Sequence, residues 1–171
     1  MKNPGVKYGL LGGAVVVFYF AILYFVKKEM FLNAGLQWAS MAIYLLFMWQ
    51  AAKEDYSAKG LGRDFRELIR TPFTVFLLIN LVYWLFYYTL HLADPELLRM
   101  EHALQLDFLK QQLAAGPGDP QEANRLREQI QTLEKTTPRI GIGDVFLQMG
   151  IGAIGGFILS AGIAAVARSR Q

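Results

Sequence analysis

The sequence predicts an all-α polytopic membrane protein: four transmembrane helices plus an extramembrane antiparallel helical hairpin. Three observations carry that expectation. Apolar residues make up 54% of the 171 and are gathered into four blocks. Each block approaches or exceeds the roughly 18 to 20 residues that cross a hydrocarbon core. The mean hydropathy of +0.28 is high for a soluble domain. One long polar stretch, Asp94 to Pro138, interrupts the blocks and carries two helical patterns parted by Ala-Gly-Pro-Gly-Asp-Pro. The expected divisions are residues 1–92, with spans one to three and a cytoplasmic interfacial helix at 61–70; 93–139, the extracytoplasmic hairpin; and 140–171, the fourth span and a basic tail.

The first block, Tyr8 to Val26, follows Lys2 and Lys7 and ends in Val-Lys-Lys-Glu. It is too long for a signal-peptide core and lacks a small-x-small cleavage site, so it reads as a retained span. Gly5, Gly9 and Gly13 recur every fourth residue and clear one helical face for close approach of another backbone. The second block, Ala34 to Ala52, is tied to the first by a short connection, which makes the two antiparallel neighbours. Trp38 and Trp49 lie near its ends, where amphipathic rings favour the headgroup level.

From Leu61 to Arg70 the pattern is that of an interfacial helix, with Leu61, Phe65, Leu68 and Ile69 opposite Arg63, Arg66 and Arg70. Those arginines can meet anionic lipid headgroups at about 1 kcal/mol each, or form a basic loop that only orients the chain. Pro72 suits the first position of the third span, Phe73 to Leu92. Asn80 is the polar residue near its middle, and an amide at that depth needs a partner on a neighbouring span.

The hairpin's first helix carries two apolar faces: Leu97, Met100, Leu104 and Phe108 on one, Leu98, Leu106, Leu109 and Leu113 on the adjoining one. Its second helix opens with Asp119-Pro-Gln-Glu, a capping-box-like start, and repeats Ala123, Leu126, Ile130 and Leu133 as a coiled-coil seam. One face of the first helix covers that seam. The other, assigned to Leu98, Leu106, Leu109 and Leu113, is left for a partner, a second copy or the membrane surface.

The fourth block, Val145 to Ala167, opens at Asp144 as N-cap and ends at Arg168 and Arg170. Gly152, Gly156, Ser160 and Ala164 recur every fourth residue. With the first and fourth spans antiparallel, Ser160 and Ala164 fall at the depth of Gly9 and Gly13 and are expected to pack there. Gly152 and Gly156 then have no small partner within the chain.

Four spans put both termini on one side with the basic residues of the 53–72 loop, whereas the hairpin side is net acidic. The positive-inside rule therefore places the termini in the cytoplasm. Catalytic parts are missing: there are no cysteines, His91 and His102 lack partners at metal spacing, and no nucleophile motif or phosphate loop appears. No cofactor and no metal is expected, and the net charge of +3 without an aromatic-interleaved basic run gives no reason to expect nucleic acid. His91 and Asp144 end their spans on the same side and either pair or serve separately at the interface. The four blocks hold no Asp, Glu, Lys or Arg, so transport by a single copy is not expected.

Lys7-Tyr-Gly-Leu-Leu-Gly-Gly13 at the opening of the first span, Phe65 to Pro72, Asp94-Pro-Glu and the Gly-rich fourth span ending in Arg168 resemble small four-span bacterial proteins of the domain-of-unknown-function 4199 type. The resemblance implies an inner-membrane location and a helical insert between spans three and four. It supplies no activity. The residues themselves favour a non-enzymatic interaction module surrounded by membrane lipids, working as a homo-oligomer or with a membrane-complex partner. The alternative is a lipid- or small-molecule-binding or transport-accessory protein with a pocket lined by Asn80, Tyr83 and Tyr87.

Overall fold

The structure is a computed structural model that describes residues 3–60, 62, 64–116 and 118–169. Every regular element among them is helical: α1 (Pro4–Val26), α2 (Lys28–Phe31), α3 (Ala34–Ala39), α4 (Met41–Lys59), α5 (Phe65–Ala93), α6 (Pro95–Ala114), α7 (Pro120–Lys135) and α8 (Ile142–Ser169). The chain separates into two compact units, residues 1–88 with 142–171, and residues 89–141. Three helices, α1, α5 and α8, are long and apolar enough to cross a membrane by length and composition.

In the first unit the helices alternate in direction. Lys7 Nζ meets Glu54 Oε2 at 2.9 Å and the Tyr8 and Phe47 rings lie 6.4 Å apart, so the start of α1 stands beside the later part of α4. Gly9 and Gly13 of α1 face Leu78 and Val82 of α5, which makes those two helices parallel. Gly152 and Gly156 of α8 face Asn80 and Phe76, which makes α5 and α8 antiparallel. Tyr44 of α4 packs on Phe76 at 5.3 Å, so α5 touches all three of its long neighbours.

The second apolar block is divided at Ser40, and α4 runs on to Lys59, beyond the expected end at Ala52. Ser40 keeps a right-handed helical backbone while its Oγ donates to Gln37 O at 2.6 Å. Such back-bonding bends a helix without ending it. The continuation of α4 carries Asp55 onto the face that buries Met48, Ala51 and Ala52. Asp55 is 1% exposed and its Oδ1 lies 2.8 Å from Lys59 Nζ.

The expected interfacial helix over 61–70 is not a separate element. Leu61 and Arg63 lie outside the described residues, and Phe65 to Arg70 form the opening of α5. Its apolar residues Leu68 and Ile69 are buried. Pro72, expected to start a helix, lies inside one. A proline there removes the N–H that would bond the carbonyl four residues back, here Leu68. The Tyr56 hydroxyl donates to that carbonyl at 2.6 Å, which satisfies the freed group and lets α5 pass through Pro72 unbroken.

In the second unit, α6 and α7 pack on one another. Both start on an aspartate followed by proline: Asp94 accepts from Glu96 N at 3.2 Å and Asp119 from Gln121 N at 2.9 Å. Each oxygen satisfies one of the free amides of a first turn. Gly116, just past α6, has φ of +79°, a conformation glycine adopts without steric cost. Leu126 and Ile130 of the seam are buried.

Candidate functional site

The small-residue faces of α1 and α8 are occupied, and α5 occupies both. A Cβ added at Gly9 would stand 2.7 Å from Leu78 Cβ, and one at Gly13 would stand 3.0 Å from Val82 Cβ. Added at Gly156, it would overlap ring carbons of Phe76. The expected match of Gly9 and Gly13 with Ser160 and Ala164 gives way to a different solution: large side chains of one helix fill glycine sockets on two others. Gly152 and Gly156, expected to lack a small-residue partner, meet the larger side chains of Asn80 and Phe76, and a Cβ added at Gly150 or Gly155 would meet nothing within 4 Å. Ser160 and Ala164 are fully buried, with Ser160 Oγ donating to Gly156 O at 2.6 Å.

Asn80 donates from Nδ2 to Met149 O at 3.3 Å, the partner its depth requires. Tyr83 and Tyr87 turn elsewhere, Tyr83 to Phe20 at 4.9 Å between ring centroids and Tyr87 to Phe31 at 6.2 Å. Tyr83 and Tyr87 also meet each other at 6.1 Å and, with Phe20 and Phe31, form one aromatic cluster, whereas Asn80 is engaged separately with α8.

His91 is buried, and its Nε2 lies 2.9 Å from Glu101 Oε2. The residue that sequence reading set beside it, Asp144, belongs to the other unit and sits in the first turn of α8. Because α8 starts at Ile142, Asp144 is past the N-cap position, where a carboxylate still complements the positive end of the helix dipole. Glu101 went unnoticed in the sequence because it is ten positions from His91, across the Asp94-Pro95 corner. Arg66 and Arg70 are exposed at the head of α5, and Arg63 lies outside the described residues.

On α6, Leu98, Leu106, Leu109 and Leu113 are half-buried, and His102 on the same stripe has Nε2 3.1 Å from Leu133 O of α7. That stripe is the one turned to α7. The exposed apolar residues of α6 are Leu104, 49% exposed, and Phe108, 58% exposed. The stripe expected to be free therefore faces α7, while the adjoining face is divided, with Leu97 buried, Met100 half-buried, and Leu104 and Phe108 exposed. Lys110 and Glu134 close part of the α6–α7 junction with a 2.8 Å ion pair, and the Glu134 carboxylate holds the Lys110 ammonium above its ordinary range.

Beside the junction an open groove of about 560 Å³ runs between α6 and α7. Leu109 and Leu133 form its apolar part, and Gln105, Gln129, Arg125 and Glu128 its polar part. Among the described residues no group of three or more His, Asp or Glu is arranged to hold a metal ion. A family model described as a protein of unknown function (DUF4199) matches residues 7–169. No match was found among curated proteins or among solved structures.

Proposed function

The chain belongs to the DUF4199 family, and from that premise we propose that it is a non-enzymatic protein of the bacterial inner membrane whose α6–α7 segment is an extracytoplasmic hairpin that docks a partner. The observation that carries the reading is the exposed pair Leu104 and Phe108, large apolar side chains on a helix too polar to sit in hydrocarbon. An amphipathic helix with a free apolar edge is a common form of docking surface.

Four crossings complete this reading. The alternating directions of α1, α4, α5 and α8 support it, as does the helical backbone at Ser40, which joins α3 to α4. The apolar stretch from Ala34 to Ala52 then spans about 28 Å at 1.5 Å per residue. With the termini cytoplasmic, Arg66 and Arg70 stand at the level of anionic headgroups. A reporter fused near Gly116 that is active in the cytoplasm would overturn the topology.

The docking reading is tested on protein extracted from its membrane in mild detergent, intact and with residues 93–139 replaced by a short polar linker. Loss of a companion protein or of a second copy with the hairpin supports it. An unchanged mass and composition removes it. In the full chain, Leu104→Gln with Phe108→Gln is expected to weaken the association by about tenfold or more while the helical content stays the same.

A further inference from the structure

The groove between α6 and α7 has lining chemistry that is self-complementary. Arg125 and Glu128 stand one turn apart on α7, carry opposite charges and are exposed. Among the described residues neither is held in an ion pair. Gln105 and Gln129 each offer a donor and an acceptor. Leu109 and Leu133 supply an apolar floor. A partner of a single charge sign would leave one of the two charges facing its like or facing nothing, and either costs affinity. A partner that brings the same pair in reverse order satisfies both.

We infer that this groove seats the α7 of a second copy of the chain, with Arg125 of each copy against Glu128 of the other. The inference goes beyond the docking reading above: it concerns a second surface of the same pair of helices and names the occupant of that surface. Two-fold symmetry demands this reciprocity: where residue i of one copy meets residue j of the other, j also meets i. A groove between two packed helices receives the side-chain ridge of a third, and two hairpins joined in this way make a four-helix bundle. The Leu104 and Phe108 edge is a separate surface and is not needed for this contact.

The test is a charge exchange in the full-length protein, with the monomer–dimer equilibrium read by energy transfer between labelled copies diluted in liposomes. Single labelling sites are simple to introduce because the chain has no native cysteine. Arg125→Glu and Glu128→Arg are each expected to weaken self-association by about tenfold, since each places like charges opposite one another twice. The double variant restores opposite charges across the two-fold and is expected to recover to within about twofold of the original. Both positions are exposed, and circular dichroism checks that each variant keeps its helices.

Single variants that weaken the dimer without rescue in the double variant overturn the pairing. Equal self-association in all four proteins, or none in any, overturns the second copy as occupant. In those cases, a companion protein still lost on hairpin replacement leaves the docking reading standing, and an unchanged composition removes both.

Discussion

The two units solve the same packing problem with opposite materials. In the unit of residues 1–88 and 142–171, close contact is made by absence: glycines on α1 and α8 open sockets that α5 fills with Leu78, Val82 and Phe76. In the unit of residues 89–141, contact is made by presence, through Leu126, Ile130 and the α6 leucines, with an ion pair at the margin. The difference follows the composition of the two units: α1, α5 and α8 are apolar enough to cross a membrane, and α7 is strongly polar. In water, burying leucine against leucine is itself favourable. In hydrocarbon a leucine gains nothing by leaving lipid, so association rests on tight van der Waals contact, which small residues permit.

That contrast is sharpest where a socket is closed. Gly156→Leu drives a branched side chain into the Phe76 ring and is expected to cost about 3 kcal/mol or more through overpacking. The measurement is thermal unfolding in detergent followed by helical circular dichroism, and a melting temperature within about 1 °C of the original would remove the socket account. Leu126→Ala makes the opposite defect, a cavity in the leucine seam, at about 2 to 3 kcal/mol. Hydrogen exchange should then rise across α6 and α7 while α1 and α8 stay protected; a rise shared by both units would break the distinction between them.

Tyr56→Phe probes how the unit of residues 1–88 and 142–171 handles polar groups. It leaves the Leu68 carbonyl without its donor next to Pro72, at a cost of about 1 to 2 kcal/mol. Faster amide exchange at Thr71, Phe73 and Thr74 than in the original protein is the expected signature. The smallest effect belongs to Lys110. Its ammonium is held above 10.5, so the stabilisation from Glu134 is complete below that value and fades as pH rises through the raised one. Lys110→Met should abolish whatever pH response the α6–α7 unit shows in that alkaline window. Both groups are exposed, so the response is slight.

Much of the secondary structure was legible because its causes are local. Asp94 and Asp119 announced two helix starts through side chains that reach amides two residues on, and the Ala-Gly-Pro-Gly-Asp-Pro run announced the break after α6, where the structure gives Gly116 a φ of +79°. The need of Asn80 for a partner was legible from depth alone. Pro72 misled because its usual effect, ending a helix, was cancelled by a hydroxyl from α4. The two faces of α6 misled for a related reason. Both are apolar and helically spaced, and which one meets α7 depends on how one helix is rotated against the other.

The sequence by itself determined the medium and the inventory of this protein: long apolar helices, a polar pair of helices between the last two, and glycines at spacing four. Hydropathy and spacing are properties of single segments, so no partner is needed to read them. Only the tertiary structure decided that both glycine faces serve α5, that Asp55 is carried inside, that His91 meets Glu101, and that Leu104 and Phe108 are left exposed. Each of these is a choice between faces of nearly equal composition. It is settled by the shapes and hydrogen-bond needs of residues distant in the chain, which no local periodicity encodes.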